Sequence, residues 1–329
     1  MKKICILTCG GTITMKKDKK GVLIPFHKSN ILLQQVPFLN KIAQIKIEEV
    51  TNIDSTNMKP SLWTKLAHLI EEHYHNFDSF IITHGTDTMA YTASALSFAL
   101  RNLNKPVIFT GSQKPIDDIP TDAGNNLINS ILLATKDLAG VCIVFGSKIL
   151  RGNRATKISE SSLDAFESPM VLPIGEISLE PKLTDSYKKK QKNNLSLFCQ
   201  ADFDENIIIA IITPGLNSAY LEKIVDDCKG IILAAFGPGN IPDTLLPFFQ
   251  KARKLSLPVI ILSQCQKGIT QMQLYKVGQQ ALKAGAIPGN DMTIEAASAK
   301  LMWILAQTKD IRKIGQAFNK SYSGEVTIH

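Results

Sequence analysis

The sequence predicts an α/β fold of two domains, each an open, doubly wound and mostly parallel sheet, the N-terminal one larger than the C-terminal one. Three observations carry this. Short runs rich in Ile, Val and Leu recur at residues 3–9, 45–50, 79–83, 107–110, 141–145, 207–213, 230–236 and 258–263. They show little polar alternation, which marks strands buried on both faces. Helical patterns lie between them, and alternating β and α units build a parallel sheet covered on both sides.

Taken in order, the first run ends at Gly10-Gly11 and the third at His84-Gly85. Between the second and third, residues 61–76 place Leu62, Leu66, Leu69 and Ile70 on one helical stripe, with Pro60 suited to a first turn. The fourth run ends at Thr110-Gly111. From about Pro181 to Glu205 the pattern breaks, with a Lys-rich run, Asn193-Asn194 and neither helical nor strand period. We read 1–183 as an N-terminal domain, 184–205 as a linker and 206–329 as a smaller α/β domain. In that second domain the runs at 207–213, 230–236 and 258–263 alternate with helical stretches at 241–255, which opens with Pro242 and Asp243, and at 294–307.

The bulk numbers narrow the function classes. A chain of 329 residues with 44% hydrophobic and 20% charged residues has the composition of a globular protein and can bury a sizeable core. The net charge of +8 resides largely in two clusters, Lys16, Lys17, Lys19 and Lys20, and Lys188, Lys189, Lys190 and Lys192. Both fall in expected loops without interleaved aromatics, so neither nucleic acid nor a membrane surface is an expected partner. The six cysteines contain no CxxC pair, and Cys5 and Cys142 sit inside apolar runs as small core residues. The start has too short an apolar run for a signal peptide, and no run of 18 apolar residues occurs; the expected location is the cytoplasm. With His73 and His75 on different helix faces and no HExxH or Cys/His cluster, no metal is expected.

Four strings can carry chemistry, and each also has a structural reading. Thr8-Cys9-Gly10-Gly11-Thr12-Ile13 follows the first strand and presents the Thr12 hydroxyl just past paired glycines; it can equally be a tight turn. Thr83-His84-Gly85-Thr86-Asp87-Thr88 follows another strand; Asp87 or Thr86 can cap a helix, or both can face the crevice with Thr12. His84 is a general-base candidate without a sequence partner. Asn52-Ile53-Asp54-Ser55-Thr56-Asn57-Met58 offers polar groups for a ligand or for capping the next helix. Arg151-Gly152-Asn153-Arg154-Ala155-Thr156-Lys157 lies beyond the 141–145 strand, where Lys157 is either a surface charge or a cation able to polarise a threonine hydroxyl.

In this order the strings resemble the asparaginase/glutaminase family, nearly end to end. Thr8 to Ile13 is similar to its first threonine signature, with Cys9 in place of a small or hydroxyl residue, and Ile82 to Met89 to its second. Asp54-Ser55 with Met58, and Thr110-Gly111-Ser112-Gln113, resemble its substrate loop and a further turn at the site. Arg151 to Lys157, Asp164-Ala165-Phe166, Phe236-Gly237-Pro238-Gly239-Asn240 and Asp291 to Ala296 look like its cytoplasmic, type I branch. The archaeal amidotransferase subunits that share the domain carry an N-terminal extension not found here.

The resemblance implies hydrolysis of L-asparagine to L-aspartate and ammonia through an acyl-enzyme on Thr12. It implies a triad-like group of Thr86, Asp87 and Lys157, in which Lys157 stabilises an oxyanion-like Thr86 and Asp87 holds the substrate's α-amino group. It implies that Asp54, Ser55, Thr56 and Ser112 bind substrate and that no metal or organic cofactor is required. It also implies a homodimer or homotetramer, with Glu295 reaching a neighbour's site. One departure stands out: the family places a tyrosine just after a glycine matching Gly21, where this chain reads Val22-Leu23-Ile24-Pro25-Phe26, and the first tyrosine is Tyr74. Thr14, Lys17, Lys19 or water are the candidate substitutes. A weakly active or purely amino-acid-binding homologue, and a glutaminase or other amidase, are the competing expectations.

Overall fold

The computed structural model describes residues 1–25, 32, 36–188 and 195–327. Phe26, Lys189, Lys190, Lys192, Asn193 and Asn194, all named above, lie outside the described residues. The chain forms two compact units, Met1–Ala201 and Asp202–His329.

In the first unit, β1 (Lys3–Gly10) is followed by a hairpin of β2 (Met15–Lys17) and β3 (Leu23–Pro25). Next come β4 (Gln44–Ile53), helix α1 (Pro60–His73), β5 (Ser79–Thr83), α2 (Met89–Ala99), β6 (Leu100–Arg101), β7 (Pro106–Thr110), α3 (Ala123–Ala134), β8 (Gly140–Phe145) and β9 (Lys148–Arg151). Then follow β10 (Thr156–Lys157), β11 (Phe166–Glu167), β12 (Gly175–Ile177), β13 (Pro181–Leu183), the short helix α4 (Asp185–Lys188) and β14 (Phe198–Cys199). The main sheet has eight strands in the order β13-β12-β9-β8-β7-β5-β1-β4. Its parallel part runs β4-β1-β5-β7-β8. The chain therefore reverses its direction of growth between β1 and β5. In such sheets the loops that leave the carboxyl ends of those two strands split apart and open a crevice.

Burial explains why these runs became strands. Ile4, Ile6, Ile81 and Ile108 face one core cluster with Leu127 and Ile131 of α3, while Leu7, Phe80, Ile82 and Phe109 are buried as well. Both faces of the central strands are covered, so polar alternation has no place in them. Helix α1 buries Trp63, Leu66, Ala67 and Ile70 and starts at Pro60.

Two expectations are corrected here. Arg151 does not extend from a parallel strand: β9 turns back antiparallel to β8, pairing Cys142 with Arg151, after a turn at Gly146 with φ of 57°. The expected linker is also partly structured. Within 184–205, α4 and β14 are regular, and β14 pairs with β6 of the first unit. The unit boundary falls after Ala201.

The second unit holds β15 (Ile207–Ile211), helix α5 (Ser218–Ile224), β16 (Gly230–Ala235), α6 (Leu246–Lys254), β17 (Val259–Ser263), α7 (Lys276–Lys283), β18 (Ala286–Pro288), α8 (Ile294–Leu305) and α9 (Ile311–Asn319). Its four strands are parallel in the order β15-β16-β17-β18. Ile231, Leu233 and Ala235 pack with Phe248, Phe249 and Ala281 on one face. On the other face Gly230 leaves room for Leu301 and Leu305 of α8. Among the described residues, no helix is long and apolar enough to cross a membrane.

Candidate active site

The site is built from turns that leave neighbouring strands at the same sheet edge. β1 and β5 run in register up to Thr8 and Thr83. Past that point β1 ends in Gly10 and Gly11, at φ of 86° and 83°, values L side chains rarely adopt. Space is equally restrictive: a Cβ built on Gly11 would fall 2.4 Å from Gly85 N, and one on Gly85 would fall 2.5 Å from Ser55 Oγ. A Cβ on Gly111 would fall 2.3 Å from His84 O. The loops after β1, β5 and β7 thus touch backbone to backbone, with Ser55 of the loop after β4 packed against Gly85, and glycine is what permits it. Thr12 opens a 3₁₀ turn (Thr12–Thr14) and is half-buried; Thr86 opens another (Thr86–Thr88) and is buried.

Lys157 completes the cluster from a distance in sequence. Its Nζ donates to Thr86 Oγ1 at 2.7 Å and to Asp87 Oδ1 at 2.6 Å. After β9 the chain passes α2, where Ser94 Oγ donates to Gly152 O at 3.4 Å, before forming the β10–β11 ribbon. In that ribbon Lys157 pairs with Phe166, whose buried ring packs edge-on against Phe145, the last residue of β8. Asp164 accepts from Ser147 N at 2.7 Å and fastens the same loop. The Lys157 side chain is 18% exposed and that of Asp87 56%, so the ammonium is shielded and the carboxylate faces outward. An ammonium has no acceptor, so Thr86 Oγ1 must accept from Lys157, and its own proton is left to point elsewhere.

His84 is not a base at this site. It is fully buried, and burial lowers its pKa to about 4 against the opposing effect of its bond to Gly85. Its Nδ1 lies 2.7 Å from Gly85 O, an acceptor only, so Nδ1 carries the proton and Nε2 accepts from Thr92 Oγ1 at 2.9 Å. Trp63 Nε1 donates to that same Thr92 oxygen at 3.0 Å. The imidazole clamps the turn that presents Thr86. Nothing local in the sequence signals this chain of bonds, because Trp63, His84 and Thr92 come from three elements.

The remaining expected residues divide. Asp54 caps the 3₁₀ turn Ser55–Asn57: its Oδ1 accepts from Thr56 N and Thr56 Oγ1, both at 2.9 Å. Asp54 and Thr56 are exposed; Ser55 is buried, and its carbonyl accepts from Thr88 Oγ1 at 2.7 Å. Ser112 is buried and donates its hydroxyl to Lys114 O at 2.5 Å, so that side chain serves its own turn. Glu295 lies in the first turn of α8 in the second unit and is buried. His68 and Glu71, and Cys199 far from them in sequence, bring one ligand atom each to within 4.8 Å of one another.

Residues 3–190 match the family model described as Asparaginase, N-terminal, and residues 206–318 match the Glutaminase/Asparaginase C-terminal domain. The chain belongs to the asparaginase family. The L-asparaginase 1 of Escherichia coli is 34% identical over 333 residues, covering 99% of this chain and 98% of that one. The solved structure of the thermostable L-asparaginase from Thermococcus kodakarensis is similar with a TM-score of 0.91 at 34% identity, covering 99% of this chain and 100% of that one. A glutamyl-tRNA(Gln) amidotransferase subunit from Pyrococcus horikoshii is 35% identical over 337 residues, covering 98% of this chain and 76% of its own. Asparaginase family membership supports an amidohydrolase acting on a small molecule.

Against the family pattern, the hairpin after Thr12 carries Val22, Leu23 and Ile24, all exposed, where a tyrosine was expected. The residues considered as its substitutes are engaged: Thr14 Oγ1 donates to Gly11 O at 3.2 Å, and Lys17 Nζ pairs with Asp118 at 2.7 Å. Lys19, in the hairpin turn, is exposed.

Proposed function

We propose that this protein hydrolyses L-asparagine to L-aspartate and ammonia through an acyl-enzyme on Thr12. Thr12 Oγ1 attacks the side-chain amide carbon. The C–N bond breaks, and ammonia leaves with the proton that the hydroxyl gave up. Water then cleaves the ester and releases aspartate. A threonine hydroxyl is a weak nucleophile and needs activation. The observation that carries the reading is Lys157 Nζ at 2.7 Å from Thr86 Oγ1. A neighbouring ammonium favours the ionised form of that hydroxyl. Asp87 gives one oxygen to Lys157 and retains acceptor capacity for the substrate's α-ammonium, with Asp54, Ser55 and Thr56 at the same end of the crevice. Ser112 contributes through its backbone, since its hydroxyl is bonded to Lys114 O. No cofactor takes part in these steps. With Thr14 and Lys17 held elsewhere, we assign the tyrosine's place to water or Lys19.

A cytoplasmic homodimer or homotetramer fits this reading, since a reducing compartment suits six cysteines that form no disulfide. Nucleic acid and membrane partners are not part of it.

The resemblance to an amidotransferase subunit supports a second reading, in which glutamine is the amide cleaved. One methylene in a pocket is worth only about 1–3 kcal/mol, so the two amides are close competitors. The hairpin without tyrosine supports a third, an amino-acid-binding homologue that turns over slowly or not at all. Ammonia release from asparagine, glutamine and a no-substrate blank separates them. We expect asparagine to lead and Thr12→Ala to fall to the blank. Glutamine leading selects the second reading. A rise in Tm with asparagine but no ammonia selects the third.

A further inference from the structure

We propose a second ligand site on the first unit, independent of the Thr12 chemistry: a zinc-class divalent cation site formed by His68, Glu71 and Cys199. His68 and Glu71 stand one turn apart on α1, and their Nδ1 and Oε2 atoms are 3.2 Å apart. Cys199 ends β14, and its Sγ lies 4.0 Å from the same His68 Nδ1. All three ligand atoms lie within 4.8 Å of one another.

These separations approach those of tetrahedral coordination. Zinc bonds of about 2.0 Å to N or O and about 2.3 Å to S give a tetrahedron with edges of roughly 3.3–3.7 Å. The His68–Glu71 edge of 3.2 Å and the His68–Cys199 edge of 4.0 Å straddle that range, and the third edge lies within 4.8 Å, so rotamer adjustments of these side chains would close the site. The donor set points to the same ion. A thiolate and an imidazole favour borderline and soft divalent metals, whereas calcium and magnesium require oxygen. Three protein ligands leave the fourth position to water. The His68 and Glu71 side chains are 58% and 47% exposed, so a hydrated ion can enter.

The cluster is not an extension of the Thr12 site. His68 lies eight residues along α1 from Pro60, about 12 Å at 1.5 Å per residue. What the ion would do is mechanical. The segment around Cys199 is fastened by hydrogen bonds to several elements: Gln200 N to Ala99 O at 2.8 Å, Thr64 Oγ1 to Ala201 O at 2.6 Å, and Asn104 Nδ2 to Leu195 O at 3.2 Å. A metal would cross-link that segment to α1. On binding, the Cys199 S–H proton passes to solvent as the S–metal bond forms.

The test uses the full chain, stripped with a chelator and titrated with Zn²⁺ by competition against a chromophoric chelator. Co²⁺ serves as the spectroscopic probe of thiolate ligation. The wild type is expected to bind one Zn²⁺ at this site and to show a thiolate-to-cobalt charge-transfer band. Cys199→Ser and His68→Ala should each weaken Zn²⁺ binding by about tenfold or more, and Cys199→Ser should remove the band. Cys265→Ser, at an exposed cysteine outside the cluster, should change neither. Both lesions lie at the surface, and unchanged Tm values in chelator show that the variants fold. Absence of binding by the wild type, or a smaller loss in either variant, overturns the proposal. Ammonia release by the chelated protein reports on Thr12 separately.

Discussion

Two lysine–carboxylate pairs of similar length sit in very different surroundings. Lys157 meets Asp87 at 2.6 Å with the carboxylate 56% exposed, and the lysine also serves a hydroxyl. Lys300 of α8 meets Glu325 at 2.7 Å with both side chains fully buried. Every proton of Lys300 is spent: it also donates to Phe318 O at 2.6 Å and Lys320 O at 2.7 Å, between the rings of Phe318 and Tyr322. Glu325 accepts in turn from the backbone N–H of Tyr322 and Ser323. The difference teaches what a buried charge is for. A pair with every lone pair and proton satisfied fixes one packing arrangement, here tying the end of the chain onto α8. A pair left open on one side keeps capacity for an incoming charge, which is what a site requires.

The sharpest way to break this comparison is to remove each lysine in turn. On the proposed mechanism, Lys157→Met should lower ammonia release by about 10³-fold, the scale seen when one preorganised charge is taken from a reaction centre. Its Tm should move little, since a half-exposed ion pair contributes roughly 0–1 kcal/mol. If Lys157→Met instead melts the protein while turnover per folded molecule persists, the pair is structural and the contrast fails.

Lys300→Met should do the reverse. It strands the Glu325 carboxylate in the core, which costs about 3–5 kcal/mol in urea or thermal unfolding. Adding Glu325→Leu should recover much of that loss, because the orphaned charge is then gone. The pH dependence has a definite sign. Burial works to raise the Glu325 pKa, but Lys300 and the Ser323 N–H outweigh it and hold the carboxyl below its usual 4.5. A carboxyl lowered on folding contributes stability that is present above about pH 4.5 and is lost as pH falls through the folded value. Unfolding curves should therefore weaken below that pH in the wild type, with a shallower slope in the double variant.

The same contrast shows what was legible beforehand. The parallel strands were, because Ile-rich runs buried on both faces have no other soluble use. The start of helix α2 was legible in the string Thr83–Thr88, but its period was not: ten of its eleven residues are buried, so it has no polar face to show it. Thr12, Thr86 and Asp87 announced themselves as hydroxyls and an acid just past strand ends. Lys157 was legible only as one of two readings, a surface charge or a cation for a threonine hydroxyl, and the family resemblance favoured the second; β9 reverses direction and the lysine returns along α2 to a site its strand had left. The Lys300–Glu325 pair and the His84 clamp are pure tertiary products, with polar groups whose partners lie on other elements. His68 and Cys199 are 131 residues apart, beyond any spacing motif.

The smallest effect concerns the open pair's missing helper. Val22 follows Gly21 in the turn of the β2–β3 hairpin and is 57% exposed, so a larger side chain meets no core there. The hairpin's backbone does not depend on residue 22's side chain: Asp18 Oδ1 accepts from Lys20 N at 2.8 Å and Val22 N at 2.9 Å. Val22→Tyr should therefore fold normally and place a phenol where the family carries one. If proton transfer from Thr12 limits turnover, kcat should rise by about tenfold, at the low end of general acid–base effects, with KM nearly unchanged. An unchanged kcat would mean that water or Lys19 already carries that proton at no disadvantage. Lys19→Met in the wild-type and Val22→Tyr backgrounds then tells the two apart: a fall in the first and not the second identifies the lysine as what the tyrosine replaces.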